Sequence, residues 1–309
     1  MSGMVFANEM PRPAQIAGLA TSLTCPSGTR LWALADFALL GIDAVASLKE
    51  EGATNALSGS PLEAFGEHAP HLIEPPSGDP SRIEACVHRL VRQVREAPAI
   101  SWLRTEAALT GLRSLAHYLS RVRVEGNPRP VHCRFADTRV LPHVLEALSP
   151  AQRRRVAETV QQWHWFDRTG APASLTLDVG SQQTPDPEPY LHFDIAQFRQ
   201  VRNGSEADAI FKLLLEQTPS LVPASRRGYF HVDVSAVLET AGRYGVEALE
   251  DRLQFVVLSL SCGRDFHRLA CLEETWSAVR EGGARLSTRM ASWDEAMWEQ
   301  LEHCGRSVA

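Results

Sequence analysis

Asp36, Arg134, Asp137 and Arg139 are the residues of this 309-residue chain whose types and spacing could do chemistry. Three of them crowd into Arg134-Phe-Ala-Asp-Thr-Arg139. Guanidinium and carboxylate groups meet in a fixed fork geometry, so such a cluster is stiff and directional. Asp36 follows the apolar run Leu31-Trp-Ala-Leu-Ala35, and Asp137 follows Val131 to Ala136. If these runs are neighbouring strands, both acids lie at one edge of a sheet. Two carboxyl groups so placed would suit a general acid–base pair, with Arg134 beside them. The same geometry suits two caps held by ion pairs, and nothing nearby in the sequence supplies a nucleophile or a metal ligand.

Three other groupings catch the eye. Cys262, His267 and Cys271 resemble part of a metal site but offer three ligands at irregular spacing, where a structural zinc normally takes four. His132 beside Cys133 suggests a thiol–imidazole pair, yet neighbours on one strand point to opposite faces. His164 lies between Trp163 and Trp165, and on a strand it faces away from both. Glycine-rich nucleotide loops, the His-Glu-x-x-His helix and the Gly-x-Ser-x-Gly elbow are all absent. The expectation is therefore no catalytic residue, no cofactor and no metal.

The elements that must position the four charged residues can be read from periodicity. Val131, Cys133 and Phe135 alternate with His132, Arg134 and Ala136, which predicts a strand. Val140, Leu141, Val144, Leu145 and Leu148 follow at helical spacing. Asp137 falls where a helix N-cap belongs. Leu31 to Ala35 reads as a buried strand, and Ile42 to Leu48 as a short helix. Asp79-Pro80 opens a helix with the stripe Ile83, Val87, Leu90, Val91 and Val94. Ile100 to Leu103 is a strand, and Leu109, Leu112, Leu115 and Leu119 mark a helix. Gly126-Asn-Pro128 is a hairpin turn between Val122–Glu125 and Val131–Phe135. Ser149-Pro-Ala-Gln152 is a capping box. Two strands, Trp163–Phe166 and Ser174–Val179, flank Gly170.

Residues 1–28 show no strong periodicity and are expected to be a loose leader. Residues 29–180 form an α/β lobe, and the polar, proline-rich stretch 181–189 reads as a linker. Beyond it, 190–309 is almost wholly helical. One helix opens at Ser205-Glu-Ala-Asp208, others end at Tyr244-Gly245 and Gly263, and Ser292-Trp-Asp-Glu295 opens the last. The fold class expected is α+β: an N-terminal α/β lobe with a mixed sheet covered by helices, then an all-helical lobe.

The segment Cys133-Arg-Phe-Ala-Asp-Thr-Arg-Val-Leu141 resembles the "RF(Y)DPRVL" signature of a bacterial family of unknown-function domains. Thr138 stands where that family has proline. Leu31-Trp-Ala-Leu-Ala-Asp36 is similar to its opening strand. Ser60-Pro61 with Ala69-Pro-His-Leu-Ile73, and Trp102 with the following helix, match in order. Tyr244-Gly-Val246 and Cys262-Gly-Arg-Asp-Phe266 resemble its closing elements. Members of the family act as adaptor chaperones in type VI secretion, holding a toxic effector and helping to load it onto the VgrG spike. The resemblance implies a non-enzymatic adaptor whose partners are a secreted effector and the VgrG or PAAR spike. It implies that Asp36, Arg134, Asp137 and Arg139 are family-motif and partner-binding positions. A hydrolase or transferase using Asp36, Asp137 and Arg134, or an immunity-type or structural binding module, are the competing readings.

Composition agrees with an ordinary globular protein: 44% hydrophobic and 22% charged residues. The net charge of -6 argues against nonspecific nucleic-acid binding, which needs a basic face. Lys49 and Lys212 are the only lysines. The run Arg153-Arg154-Arg155 is expected to be a solvated helix face. Among six cysteines, Cys86, Cys133 and Cys262 lie in apolar patterns and read as core. With no secretory signal and no run long enough to span a membrane, the bacterial cytoplasm is the expected compartment.

Overall fold

The computed structural model describes residues 5–24, 28–76, 79–178 and 184–306. Cys25 and the start of the expected linker lie outside them. The chain divides into two compact units, Met1–Ser205 and Glu206–Ala309.

In the first unit the elements run α1 (Pro13–Ser22), β1 (Arg30–Asp36), α2 (Ile42–Glu50), β2 (Thr54–Asn55), β3 (Pro70–Ile73), α3 (Pro80–Val94), β4 (Ile100–Thr105) and α4 (Leu109–Ser120). They continue with β5 (Arg121–Val124), β6 (Val131–His132), α5 (Leu141–Ala147), α6 (Pro150–Ala157), β7 (Gln162–Phe166), β8 (Pro172–Thr176), β9 (Leu191–Phe193) and α7 (Ile195–Gly204). A six-stranded sheet has the order β2-β3-β1-β4-β7-β8, with every neighbouring pair antiparallel. The mixed pairing expected from sequence belongs to a second, smaller sheet, β6-β5-β9, where β5 is antiparallel to β6 and parallel to β9.

Helices cover both faces of the large sheet at its centre, so β1, β4 and β7 are buried on both sides, whereas the edge strand β8 alternates exposed and half-buried residues. Trp32, Leu34, Leu103, Trp163 and Trp165 join a core with residues of α4, α5 and α6. Leu31, Ala33, Ala35, Trp102 and Phe166 join another with residues of α1, α2 and α3. The Trp163 indole N–H donates to the Ser101 hydroxyl at 3.0 Å, satisfying a polar edge deep in the first core.

The capping signals hold where they were clearest. The Asp79 carboxylate accepts from the Ser81 N–H, and Pro80 is the first residue of α3. Ser149 and Gln152 form both halves of their capping box.

Several expectations need correction. Residues 13–22, read as part of a loose leader, form α1. Ile16, Leu19, Ala20 and Leu23 recur at helical spacing and are buried, and α1 packs on α3. Phe6 and Ala7 are buried as well. Gly170, at the β7–β8 turn, has φ +76, and a Cβ there would sit 3.1 Å from Pro11 Cα. Gly170→Ala is therefore expected to lower stability by roughly 1–3 kcal/mol, from backbone strain joined to a backbone clash; urea titration measures it.

The described part of the expected linker is tied to the first unit. The Tyr118 hydroxyl donates to Asp186 at 2.6 Å, and Arg155 donates to the Asp186 carbonyl at 2.7 Å. The arginine run is likewise engaged. Arg153 donates to the Leu145 carbonyl at 3.1 Å, Arg154 pairs with Glu158, and Arg155 stacks on Tyr118. Since β9 pairs with β5 and α7 packs on α5, residues 190–205 belong to the first unit, and the helical unit begins at Glu206.

The second unit contains α8 (Glu206–Gln217), α9 (Arg227–Arg243), α10 (Leu249–Cys262), α11 (Glu273–Arg280), α12 (Leu286–Met290) and α13 (Glu295–Arg306). Phe255, Phe266, Trp276 and Leu301 are central to its core. Arg252 on α10 donates to the carbonyls of Leu238 (3.1 Å) and Val246 (2.9 Å), and to Glu206 Oε2 at 2.7 Å. One side chain thus joins α8, α9 and α10. The last helix is opened by Asp294 and not by Ser292: the Asp294 carboxylate accepts from the Met297 N–H at 2.9 Å, while the Ser292 hydroxyl donates back to the Arg289 carbonyl.

Candidate functional site

The four charged residues come together. Asp36 ends β1, where its N–H donates to the Ala99 carbonyl at 2.8 Å. Its Oδ1 accepts from the Ala38 N–H (3.1 Å), and its Oδ2 accepts from Arg134 Nη2 (2.9 Å). The same Nη2 is 4.0 Å from Asp137 Oδ2. Arg139 grips Asp137 through Nε (2.9 Å to Oδ1) and Nη2 (2.7 Å to Oδ2), and its own N–H donates to Asp137 Oδ1 at 3.0 Å. The Arg139 guanidinium also lies over the Phe6 ring, 5.2 Å from its centre.

The ion pairs and the cap at Asp36 follow the sequence reading, but the strand and helix assigned around Asp137 do not. The β6 strand stops at His132, and Cys133 to Val140 form an extended lead-in and turns. Helix α5 begins only at Leu141, with Val140 at its N-cap position. Asp137 therefore heads the preceding turn: its carbonyl accepts from the Val140 and Leu141 N–H groups at 2.9 Å. Its carboxylate holds Arg139 instead of capping the helix. Thr138 N–H donates to the Pro98 carbonyl at 2.9 Å, so this turn and Asp36 grasp adjacent residues of the connection before β4.

Burial is uneven across the cluster. The side chains of Asp36 and Asp137 are 6% and 2% exposed, whereas that of Arg134 is 38% exposed. Burial pushes the Asp36 carboxyl above its ordinary value, outweighing the Arg134 guanidinium beside it. Two carboxylates and two guanidiniums make the cluster locally neutral. It fastens three segments, the end of β1, the Pro98–Ala99 connection and the turn before α5, and only Arg134 gives it an appreciable outer surface.

The other sequence candidates fall elsewhere. The His132 ring nitrogen Nδ1 lies 3.1 Å from the Ser120 carbonyl. Cys133 is buried, and burial pushes its thiol up to about 12. Cys262 ends α10, while the His267 ring packs against Tyr244 and Phe255. Among the described residues, no group of three His, Cys, Asp or Glu side chains converges to hold a metal ion. His164 is buried on the sheet, with Nε2 3.2 Å from Gln162 Oε1. An open depression of about 710 Å³ runs beside α3, lined by Glu84, His88, Arg89 and Arg92 among others, and none of the four clustered residues lines it. The sequence reading passed over Arg121, Arg123 and Tyr190, which stack on the outward face of the small sheet; the alternation Arg121-Val-Arg-Val124 was the available signal.

Residues 31–155 match the family model DUF4123, a domain of unknown function. The matched segment contains Asp36, Arg134, Asp137 and Arg139, and so the whole of the buried cluster. It ends within α6, before β7, β8 and β9, and the helical unit lies outside it. No curated protein and no solved structure shows a significant match. No helix among the described residues is long and apolar enough to cross a membrane.

Proposed function

We propose that this protein is a non-enzymatic adaptor chaperone of type VI secretion, which binds a secreted effector in the cytoplasm and helps to load it onto the VgrG or PAAR spike. The observation that carries the reading is the DUF4123 match over residues 31–155, together with the resemblance of its signature residues to adaptors of that class. The geometry of the cluster supports it. Asp36 and Asp137 are buried and occupied by guanidinium and backbone N–H donors. A hydrolase using them would need at least one carboxyl able to reach substrate. Held in this way, the two acids act as a structural tie, which favours the adaptor reading over a hydrolase built on them.

The test is co-expression of the tagged chain with the product of the adjacent gene. A stoichiometric complex that survives size exclusion is expected. Release of the effector-gene product during purification, with the tagged chain folded, would overturn the reading. The helical unit is the proposed specificity element, and the division at Ser205 sets where to cut. Replacing residues 206–309 with those of a related adaptor should redirect effector choice. Effector choice that instead follows residues 1–205 in such chimeras would place specificity in the first unit.

A further inference from the structure

The small sheet buries one face and leaves the other open. Val122, Val124, Leu191 and Phe193 point into the core. Alternation sends Arg121, Arg123, His132 and His192 the other way. Register puts them in two rows, Arg121 opposite His132 and Arg123 beside His192. Tyr190 completes the face, with the guanidiniums of Arg121 and Arg123 at 4.6 and 5.7 Å from its ring centre. Arg129, exposed, follows in the β5–β6 turn. Glu125 closes one end, and the neighbouring Asp194 carboxylate is spent on the Gln197 N–H.

Most arginines that hold this fold together are paired, as Arg89, Arg139, Arg252 and Arg285 are. Those of this face differ: among the described residues, Arg121, Arg123 and Arg129 form no ion pair. Stacking on Tyr190 holds two of them in place without neutralising them, which lowers the entropy lost when they meet a ligand. We propose that this face is a docking surface for an acidic segment of a partner protein. The charge argument selects the occupant. The guanidinium forks suit carboxylates bidentately. The chain as a whole carries -6, so a long polyanion or an anionic membrane would be repelled by the rest of the surface, while a short acidic segment reads only the local patch. The proposal deepens the adaptor reading and rests on it for the partner's identity.

The full chain is titrated against a fluorescein-labelled oligo-glutamate peptide by anisotropy at low and physiological salt. Wild type is expected to bind with an affinity that falls with salt. The Arg121→Glu/Arg123→Glu variant should bind at least about tenfold more weakly while melting within a few degrees of wild type. Arg121→Gln/Arg123→Gln, which removes charge without reversing it, should give an intermediate loss. Arg92→Glu, which changes the charge on α3 by as much as the glutamine pair does, should leave binding intact. Unchanged peptide binding in the double variants overturns the proposal, as does tighter binding of oligo-dT or phosphatidylserine vesicles through the same arginines. Co-purification of the adjacent gene's product with wild type is scored separately. If it fails while the arginine variants lose the peptide, the docking face stands and the adaptor reading falls.

Discussion

Arg139→Met is expected to destabilise the protein by about 3–5 kcal/mol, because it strands a buried carboxylate. Asp137 is only 2% exposed on its side chain, and the Arg139 guanidinium donates three hydrogen bonds to its carboxylate. Removing one partner of a buried pair leaves the other charge without water or counter-ion, and that loss exceeds the value of the pair itself. Arg134, 4.0 Å away, is too distant to take over without moving off Asp36. The sequence reading, in which Asp137 is a helix cap held by an ion pair, puts removal of that cap by Asp137→Ala at only about 1 kcal/mol, and urea denaturation of both variants measures the two losses. The double variant Asp137→Leu/Arg139→Met should recover much of the loss, since apolar replacement of both partners of a buried pair is often close to neutral. A single variant that melts like wild type would mean that the carboxylate finds water, and that the cluster is no structural tie.

Acidification is expected to remove about 3 kcal/mol of stability through His164 alone. Burial, with the Arg104 charge added to it, holds this imidazole at about 4, down from 6.5. The folded state therefore keeps the ring neutral where the unfolded chain would protonate it. Between pH 6.5 and 4 the unfolded state binds more protons, so stability is full above the unfolded pKa and is lost as pH falls through that window. The shift converts to about 3 kcal/mol at 1.36 kcal/mol per unit. Burial lowers His71, His132 and His267 as well, and they act with the same sign, so the diagnostic is a difference. His164→Leu should flatten the pH dependence between 6.5 and 4 relative to wild type. Parallel curves for the two proteins would remove His164 as the cause.

Local signals in the sequence were legible where one element settles them. The stripe of α3 and its Asp79-Pro80 start, the capping box of α6 and the Gly126 hairpin all needed only near neighbours. The motif residues were legible as a set, but their contact was not. Asp36 and Arg134 are 98 positions apart, and no local pattern states that a turn before α5 reaches the end of β1. Helix α1 was missed although its apolar spacing was present, because flanking prolines and a weak stripe hid it. The strand after Pro130 was overextended: Cys133 and Phe135 are buried as a strand would bury them, but they do so from turns that feed the ion-pair cluster. The linker was misjudged because polar, proline-rich composition describes a chain in isolation, and Asp186 finds Tyr118 and Arg155 only in three dimensions.

The parallel pairing of β5 with β9 also sets an order of assembly during synthesis. Val122 to Val124 must wait for Leu191 to Phe193 before the small sheet is complete, while β4 waits for β7 at Gln162–Phe166. At roughly 5–20 residues per second, the nascent chain holds both open edges for several seconds. Apolar Val122 and Val124 lack their Leu191 and Phe193 neighbours in that interval. A fragment ending at residue 155, where the family match ends, would keep those edges open permanently. Such a fragment should emerge from the ribosome needing a holdase of its own, so dissection of this protein is best made after Ser205, where the first unit has closed.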